Sequence, residues 1–169
     1  SGMNLHPAAT AAFTGHRTYD RCADASLRRT VCELHARGLT TFLSGMAVGF
    51  DLAAAEAVLA CRASIPALRL VAVVPFRGQP SRFSARDRER FDRILAAADE
   101  QIVLAETYHR GCYAVRNDFL VDHASVVVAW YDGSPGGTRY TVSRAERKGR
   151  QIVHLHPAAP AGAEQRELF

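Results

Sequence analysis

The feature that most constrains the fold is an alternation of short apolar runs with segments of helical periodicity, from one end of the chain to the other. This alternation is typical of repeated β-α units that build a mostly parallel sheet. Several runs are apolar at successive positions, as expected for strands that helices cover on both faces. Six runs are predicted as strands: Thr10–Thr14, Thr40–Leu43, Leu68–Val74, Gln101–Leu104, Ser125–Trp130 and Gln151–Leu155.

Helices are predicted in the five intervals between these strands. Gly38 ends the first helix as a left-handed cap. Ser84 and Asp87 form a capping pair at the start of the third. The others are predicted at Ala53–Cys61, at about Tyr113–His123, and from Thr138 to a cap glycine at Gly149.

The size and composition of the chain fit one α/β domain. A length of 169 residues with 48% apolar residues is enough for a single core. We predict a Rossmann-like, doubly wound, mostly parallel sheet of about six strands with helices on both faces, in the common strand order 3-2-1-4-5-6. In this order the loops after strands 1, 2, 4 and 5 meet where open α/β sheets bind ligands. The domain is expected to cover residues 3–156, followed by a mobile tail at 157–169.

Charge and composition narrow the classes of partner. The net charge of +4 favours anionic ligands, but the basic residues form no stripe, so nucleic acid is not expected as a partner. No run of 18 apolar residues and no signal-peptide pattern is present, which predicts a cytoplasmic protein without a membrane partner. The cysteines and histidines lack the spacing of metal ligands, so no metal site is predicted.

Three glycine-rich turns follow predicted strands and indicate a phosphate-bearing ligand. Glycine lets the backbone approach an anion closely, and a helix N-terminus supplies free N–H donors. The first turn adds a cation, Arg17. The second adds Asp51, which either accepts a ribose hydroxyl or caps its helix. The candidate binding residues are Thr14, Gly15, His16 and Arg17 in the first turn, Ser44, Gly45, Met46, Gly49 and Asp51 in the second, and Asp132, Gly133, Gly136, Gly137 and Thr138 in the third.

Two further segments supply candidate binding residues. Pro75 and Phe76 end the third strand, and Gln79 follows them. Together they offer an apolar wall and an amide suited to reading a base, or else form a simple turn. In the fourth predicted helix, Arg116 is a candidate phosphate anchor, and Asn117 either bonds the ligand or ties down its own loop.

In combination, these segments resemble the YpsA-like family of the SLOG superfamily. The resemblance covers roughly residues 10–155 and implies a Rossmann-like fold with a pocket for a nucleotide or nucleotide sugar, but no particular reaction. The second turn alone also resembles the loop of the DprA single-stranded DNA-binding proteins, and the third resembles the loop of the LOG-type phosphoribohydrolases. The segments that carry the family resemblance are FTGHR at 13–17, SGMAVGFD at 44–51, PFRGQ at 75–79, GCYAVRN at 111–117 and DGSPGGT at 132–138.

The LOG-type pattern is incomplete in this chain. It implies a catalytic glutamate where this sequence has Thr141, and threonine cannot act as a carboxylate general base. Arg116 matches the arginine of that family by its place in the helix before strand 5.

The leading hypothesis is that the chain binds a small nucleotide-type ligand, such as an ADP-ribose or nucleoside monophosphate derivative. No other cofactor is predicted. Two alternatives stay open: a LOG-type N-glycosidic phosphoribohydrolase, and DprA-like binding of single-stranded DNA. Related folds often pair through helices, which leaves a homo-oligomer open, although the sequence marks no interface.

Overall fold

The computed structural model describes residues 4–158, and within them the chain forms one six-stranded parallel sheet flanked by helices. The α/β class and the alternation of strands and helices are confirmed. Apart from residues 157 and 158, the predicted tail lies outside the described residues. The strands are β1 Thr10–Gly15, β2 Thr41–Ser44, β3 Arg69–Val74, β4 Glu100–Val103, β5 Val126–Trp130 and β6 Gln151–His154. The α-helices are α1 Asp24–Ala36, α2 Phe50–Arg62, α3 Ala85–Ala97, α4 Cys112–Asp122 and α5 Gly137–Arg147, with short 3-10 helices at Pro7–Ala9 and Gln79–Arg82.

The order of the strands corrects the prediction. It is β4-β3-β2-β1-β5-β6, not 3-2-1-4-5-6, because β4 lies at an edge beside β3 while β5 lies beside β1. Burial gives the physical reason. All five residues of β5 are buried, whereas no residue of β4 is fully buried, and Gln101 in β4 is exposed. A short and partly polar strand suits an edge, and a continuous apolar strand suits the centre of a parallel sheet.

The helices form one layer on each face of this sheet. The chain runs outward from β1 to β4 and then returns to β5, and right-handed connections place the helices of the two runs on opposite faces. Helices α1, α2 and α3 share a core with Phe13 and Phe42, whose ring centroids are 6.0 Å apart. On the other face, α4 packs on Leu43 and α5 packs on Val127. The direction reverses between β1 and β5, so a ligand crevice is expected above these strands.

Local signals set the helix ends. The Ser84 hydroxyl accepts a hydrogen bond from the Asp87 N–H at 3.1 Å, which confirms the predicted cap of α3. Helix α2 begins at Phe50, earlier than predicted, directly after Gly49 with its φ of +84°. Asp51 therefore lies inside the first turn of α2 and does not cap the helix.

In the described part of the chain, every helix is too short or too polar to cross a membrane. The same residues contain no cluster of three or more His, Cys, Asp or Glu side chains positioned to hold a metal ion.

Candidate functional site

A cavity of about 1050 Å³ lies at the carboxyl ends of the strands. Its wall comes from the segments that follow β1, β2, β3, β4 and β5, so residues far apart in the sequence meet there. More than half of the predicted site residues line this one cavity. They are Thr14, Gly15, His16, Arg17, Asp51, Phe76, Gln79, Arg116, Asn117, Gly137 and Thr138.

Part of this wall consists of residues that were not predicted from the sequence. Tyr108 and Tyr113 reach the cavity from the segment after β4, and Arg82 reaches it from the segment after β3. The wrong strand order kept Tyr108 and Tyr113 from being placed beside Phe76, because it separated strand 4 from strand 3. The available signal was a pair of tyrosines on either side of Gly111. The other residues that were missed are Ala47, Val48, Ser81, Phe83, Ser84 and Asp87.

The remaining predicted residues lie behind the wall or beside it. The Ser44 hydroxyl donates to the Asp51 carbonyl oxygen at 2.9 Å and accepts from the Met46 N–H at 3.2 Å. Met46 is fully buried with a φ of +65°, which few residues other than glycine adopt. The second turn is thus a rigid support for the cavity. The predicted residues that do not line the cavity are Ser44, Gly45, Met46, Gly49, Pro75, Asp132, Gly133 and Gly136.

Arg116 is a buried cation held in one orientation. Its Nε donates to Asn117 Oδ1 at 2.7 Å, and its Nη1 donates to the Gly45 carbonyl oxygen. A Cβ on Gly45 would lie 2.7 Å from Nη1, so only glycine leaves room for the guanidinium. Its Nη2 has no hydrogen-bond partner among residues 4–158 and remains available as a donor.

Two buried oxygen atoms of the wall have no hydrogen-bond partner within the described residues: Asp51 Oδ1 and Gln79 Oε1. The other carboxylate oxygen of Asp51 accepts the Ala47 N–H at 3.4 Å, and Nε2 of Gln79 donates to the Gly45 carbonyl oxygen at 3.3 Å. Buried polar atoms are nearly always paired, so each unpaired acceptor requires an explanation. Both match a ligand that brings hydroxyl or amino donors.

Burial also changes the acidity of Asp51. Desolvation raises its pKa to about 6, while the Arg116 charge and the Ala47 N–H act in the opposite direction. At neutral pH most of the carboxylate is ionised despite its burial, because the nearby cation stabilises it. The cavity therefore presents a strong hydrogen-bond acceptor next to a fixed positive charge.

Asp51→Asn is expected to stabilise the protein, increasingly so as the pH rises from about 4 to above 6. The folded-state pKa of about 6 exceeds the ordinary value of 3.8, so the folded state binds more protons in this window and wild-type stability falls as the pH rises. The shift corresponds to about 2–3 kcal/mol at pH 7. Urea unfolding of both proteins at pH 4.5 and pH 7.5 measures the difference. A stability difference independent of pH would contradict the raised pKa.

The first and third turns are tied together by His16 and Asp132. The Asp132 N–H donates to His16 Nε2 at 3.1 Å, and the carboxylate of Asp132 lies 2.8 Å from the same nitrogen. That carboxylate also accepts hydrogen bonds from the N–H and the hydroxyl of Ser134, and these bonds are the main reason why its pKa falls to about 2. The pair fixes the relative position of the two turns at the edge of the cavity.

The N-terminus of α5 contributes Gly137 and Thr138 to the cavity. A Cβ on Gly137 would lie 3.7 Å from Asn117 Nδ2, so this amide donor is close to the helix terminus. Thr141, one turn further on, is buried, and its hydroxyl donates to the Gly137 carbonyl oxygen at 2.9 Å. The position of the LOG-type glutamate thus holds a hydroxyl that is engaged with the helix backbone.

The model of the YspA SLOG family matches residues 11–155, which include all the strands and α-helices around the cavity except the first residue of β1. The chain belongs to this SLOG family. One relative of the chain is the uncharacterized SPbeta prophage-derived protein YoqJ of Bacillus subtilis (strain 168). It is 31% identical over 130 residues, which are 69% of this chain and 76% of YoqJ.

Two solved structures share the fold of this SLOG protein. DNA processing protein A (DprA) from Streptococcus pneumoniae has a TM-score of 0.65 at 18% identity, over 92% of this chain and 53% of that one. The DprA of Helicobacter pylori, described for its single-stranded DNA binding mode, has a TM-score of 0.62 at 16% identity, over 88% and 65% of the two chains. This chain spans only about half to two thirds of those DprA chains, and at such identities the likeness concerns the fold.

Proposed function

We propose that this SLOG protein binds a nucleotide or nucleotide-sugar ligand, such as a nucleoside monophosphate or an ADP-ribose derivative, in the cavity. The observation that carries the proposal is the combination in one wall of a fixed buried cation, a helix N-terminus and two buried unpaired acceptors. A concave site with a few convergent polar groups is the usual form of a small-molecule site. The volume of about 1050 Å³ accommodates a ligand of this size.

The phosphate binds where Arg17, the Nη2 of Arg116 and the N-terminus of α5 converge on the cavity. The Arg17 side chain is exposed, and its guanidinium has no hydrogen-bond or ion-pair partner among residues 4–158. Free N–H groups and the positive end of the helix dipole at Gly137 and Thr138 favour an anion in the same place.

The sugar of the ligand binds at Asp51. A ribose hydroxyl that donates to Oδ1 satisfies this buried acceptor. The bond is charge-assisted when the carboxylate is ionised, and such bonds are stronger than those between neutral groups.

The third turn favours binding of the ligand without hydrolysis. Thr141 supplies no carboxylate at the position where the LOG-type pattern has one, and its hydroxyl is engaged with the Gly137 carbonyl oxygen. Incubation with AMP separates the two functions, because a binding protein leaves AMP intact whereas a phosphoribohydrolase releases adenine.

Single-stranded DNA is the second candidate ligand, because the DprA of Helicobacter pylori shares this fold and binds single-stranded DNA. The exposed Tyr108 and Arg82 at the cavity are residue types that stack on bases and contact phosphates. Salt distinguishes the candidates. DNA binding weakens steeply as salt concentration rises, because each phosphate contact releases a counterion, whereas binding of a single nucleotide changes much less.

Gly137→Asp is expected to abolish nucleotide binding without loss of stability. Gly137 does not have a positive φ, its nearest neighbour lies 3.7 Å from an added Cβ, and an acidic residue in the first turn favours the helix. The added carboxylate repels the phosphate. Gly137→Asn is the matched control, since it adds the same volume without the charge. Calorimetric titration with AMP and ADP-ribose measures the affinity of each variant.

Arg17→Ala should weaken the same binding at least tenfold, as expected for the loss of a charge-assisted hydrogen bond. Arg147→Ala controls for net charge, because Arg147 is exposed in the last turn of α5 and does not line the cavity. Two results together would show that the phosphate does not bind in this part of the cavity. The Gly137→Asp and Gly137→Asn variants would bind the nucleotide with equal affinity, and Arg17→Ala would bind it as tightly as the wild type.

The proposed binding unit is the whole domain at residues 3–156, acting in the cytoplasm.

A further inference from the structure

Three aromatic side chains cluster in the cavity wall, and one of them, Tyr113, has its ring centroid 5.7 Å from the guanidinium carbon of Arg116. The ring of Phe76 lies 5.5 Å from that of Tyr108 and 6.0 Å from that of Tyr113, measured between centroids. Phe76 is buried, whereas Tyr108 is 61% and Tyr113 is 37% exposed. Large exposed rings beside a cavity offer flat faces for stacking a planar group.

The sheet separates this aromatic cluster from the N-terminus of α5. Phe76 follows β3 and both tyrosines follow β4, whereas Gly137 follows β5. With a spacing of about 4.8 Å between strands, β3 lies about 14 Å from β5 in the order β3-β2-β1-β5. A ligand whose phosphate is held by Arg17 and the N-terminus of α5 therefore extends its other end past Arg116 towards the aromatic cluster.

Gln79 lies next to this cluster and has a defined orientation. Its N–H donates to the Phe76 carbonyl oxygen at 3.1 Å, so the two residues belong to one turn. Its side-chain Nε2 must face the Gly45 carbonyl oxygen, which is also an acceptor for Arg116, because a flipped amide would bring two acceptors together. The unpaired buried atom is therefore Oε1, an acceptor.

We propose that the base of the ligand carries an exocyclic amino group, stacks on the aromatic cluster and donates a hydrogen bond to Gln79 Oε1. The inference rests on the proposed function and narrows it to nucleotides with amino-bearing bases, such as adenine or cytosine. A base with a carbonyl oxygen in that position, such as hypoxanthine or uracil, would place an acceptor against Oε1. Discrimination is strong at sites whose buried polar group would be left unpaired by the wrong ligand.

The test compares matched nucleotide pairs that differ in this group. Calorimetric titration should give at least tenfold tighter binding for AMP than for IMP, and for CMP than for UMP. Gln79→Met removes both polar atoms from a side chain of similar length and should bring each ratio close to one. Thermal unfolding of the variant shows whether the turn survives the loss of the bond to Gly45.

A second variant avoids the buried turn altogether. Tyr108→Ala removes an exposed ring and should weaken AMP binding at least fivefold while leaving the affinity for ribose 5-phosphate unchanged, because stacking acts only on the base. Tyr140→Ala, which removes a tyrosine that is 39% exposed on α5 and does not line the cavity, is the matched control.

The outcomes separate this inference from the proposed function. If IMP binds as tightly as AMP, the amino-group inference is overturned and nucleotide binding stands. If Tyr108→Ala weakens ribose 5-phosphate and AMP equally, stacking on the aromatic cluster is overturned. If neither the four nucleotides nor ADP-ribose binds, the proposed function fails and the inference fails with it.

Discussion

Gly49→Ala is expected to lower the free energy of unfolding by about 2–5 kcal/mol. Gly49 has a φ of +84°, and a Cβ there would lie 2.5 Å from the carbonyl oxygen of Arg17. Two costs add: the positive φ of a residue with a side chain, about 1–2 kcal/mol, and the steric overlap, about 1–3 kcal/mol. A backbone oxygen cannot rotate away as the end of a side chain can, so the first turn must shift. Urea unfolding followed by circular dichroism measures the loss.

Gly38→Ala isolates the first of these costs. Gly38 also has a positive φ, +98°, but no atom lies within 4 Å of a Cβ built on it. We expect this variant to lose only about 1 kcal/mol. The difference between the two variants then measures how closely the turns after β1 and β2 approach each other. Equal losses would mean that the contact with Arg17 relaxes without cost.

Arg116→Ala is expected to cost about 3 kcal/mol at pH 8 and to raise the pKa of Asp51 further above its ordinary value. The substitution removes the donor of Asn117 Oδ1 and one of the two donors of the Gly45 carbonyl oxygen. It also removes the charge that most strongly lowers the Asp51 pKa, so a buried carboxylate is left without a compensating cation. Urea unfolding as a function of pH measures both effects.

A double-mutant cycle separates two contributions to the lost stability: the interaction of Arg116 with Asp51 and the hydrogen bonds of Arg116. In an Asp51→Asn background there is no buried carboxylate to stabilise, so Arg116→Ala should cost less than it does in the wild type. Arg116→Lys keeps a charge without the planar fork and should retain only part of the stability. If Arg116→Ala costs the same in both backgrounds at pH 8, the two side chains do not interact, and the low stability of the variant comes from the lost hydrogen bonds alone.

The local elements of the fold were predictable because their causes are local. The apolar run in β5 and the Ser84 cap of α3 are visible in a few adjacent residues. The strand order was not, because no local pattern states which strands become neighbours. One local difference is relevant to the strand order: β5 is apolar throughout, whereas β4 contains the polar residue Gln101, which is exposed. This difference favours an edge position for β4.

The part of the cavity wall that the glycine-rich turns form was predictable for the same reason, because glycines after strands mark tight turns at the carboxyl edge of the sheet. Phe76 and Gln79 were also predicted, as candidates to read a base, but the two tyrosines beside them were not. Tyr108 and Tyr113 join Phe76 only because β4 pairs with β3, which is a non-local property. The charge state of Asp51 could not be predicted from the sequence either. It depends on the burial of the Asp51 side chain beside Arg116, a residue 65 positions further along the chain.

The pairing of β1 with β5 has a consequence for synthesis. Ser125 donates to the Thr10 carbonyl oxygen across 115 residues of sequence, and the return half of the chain supplies Arg116, Gly137 and Thr138 to the cavity. A nascent chain that has emerged only as far as β4 therefore carries β1 as an open, apolar edge, the kind of edge that promotes aggregation. The cavity is complete only when translation has passed α5, so its formation reports that the polypeptide has been made and folded through to that point.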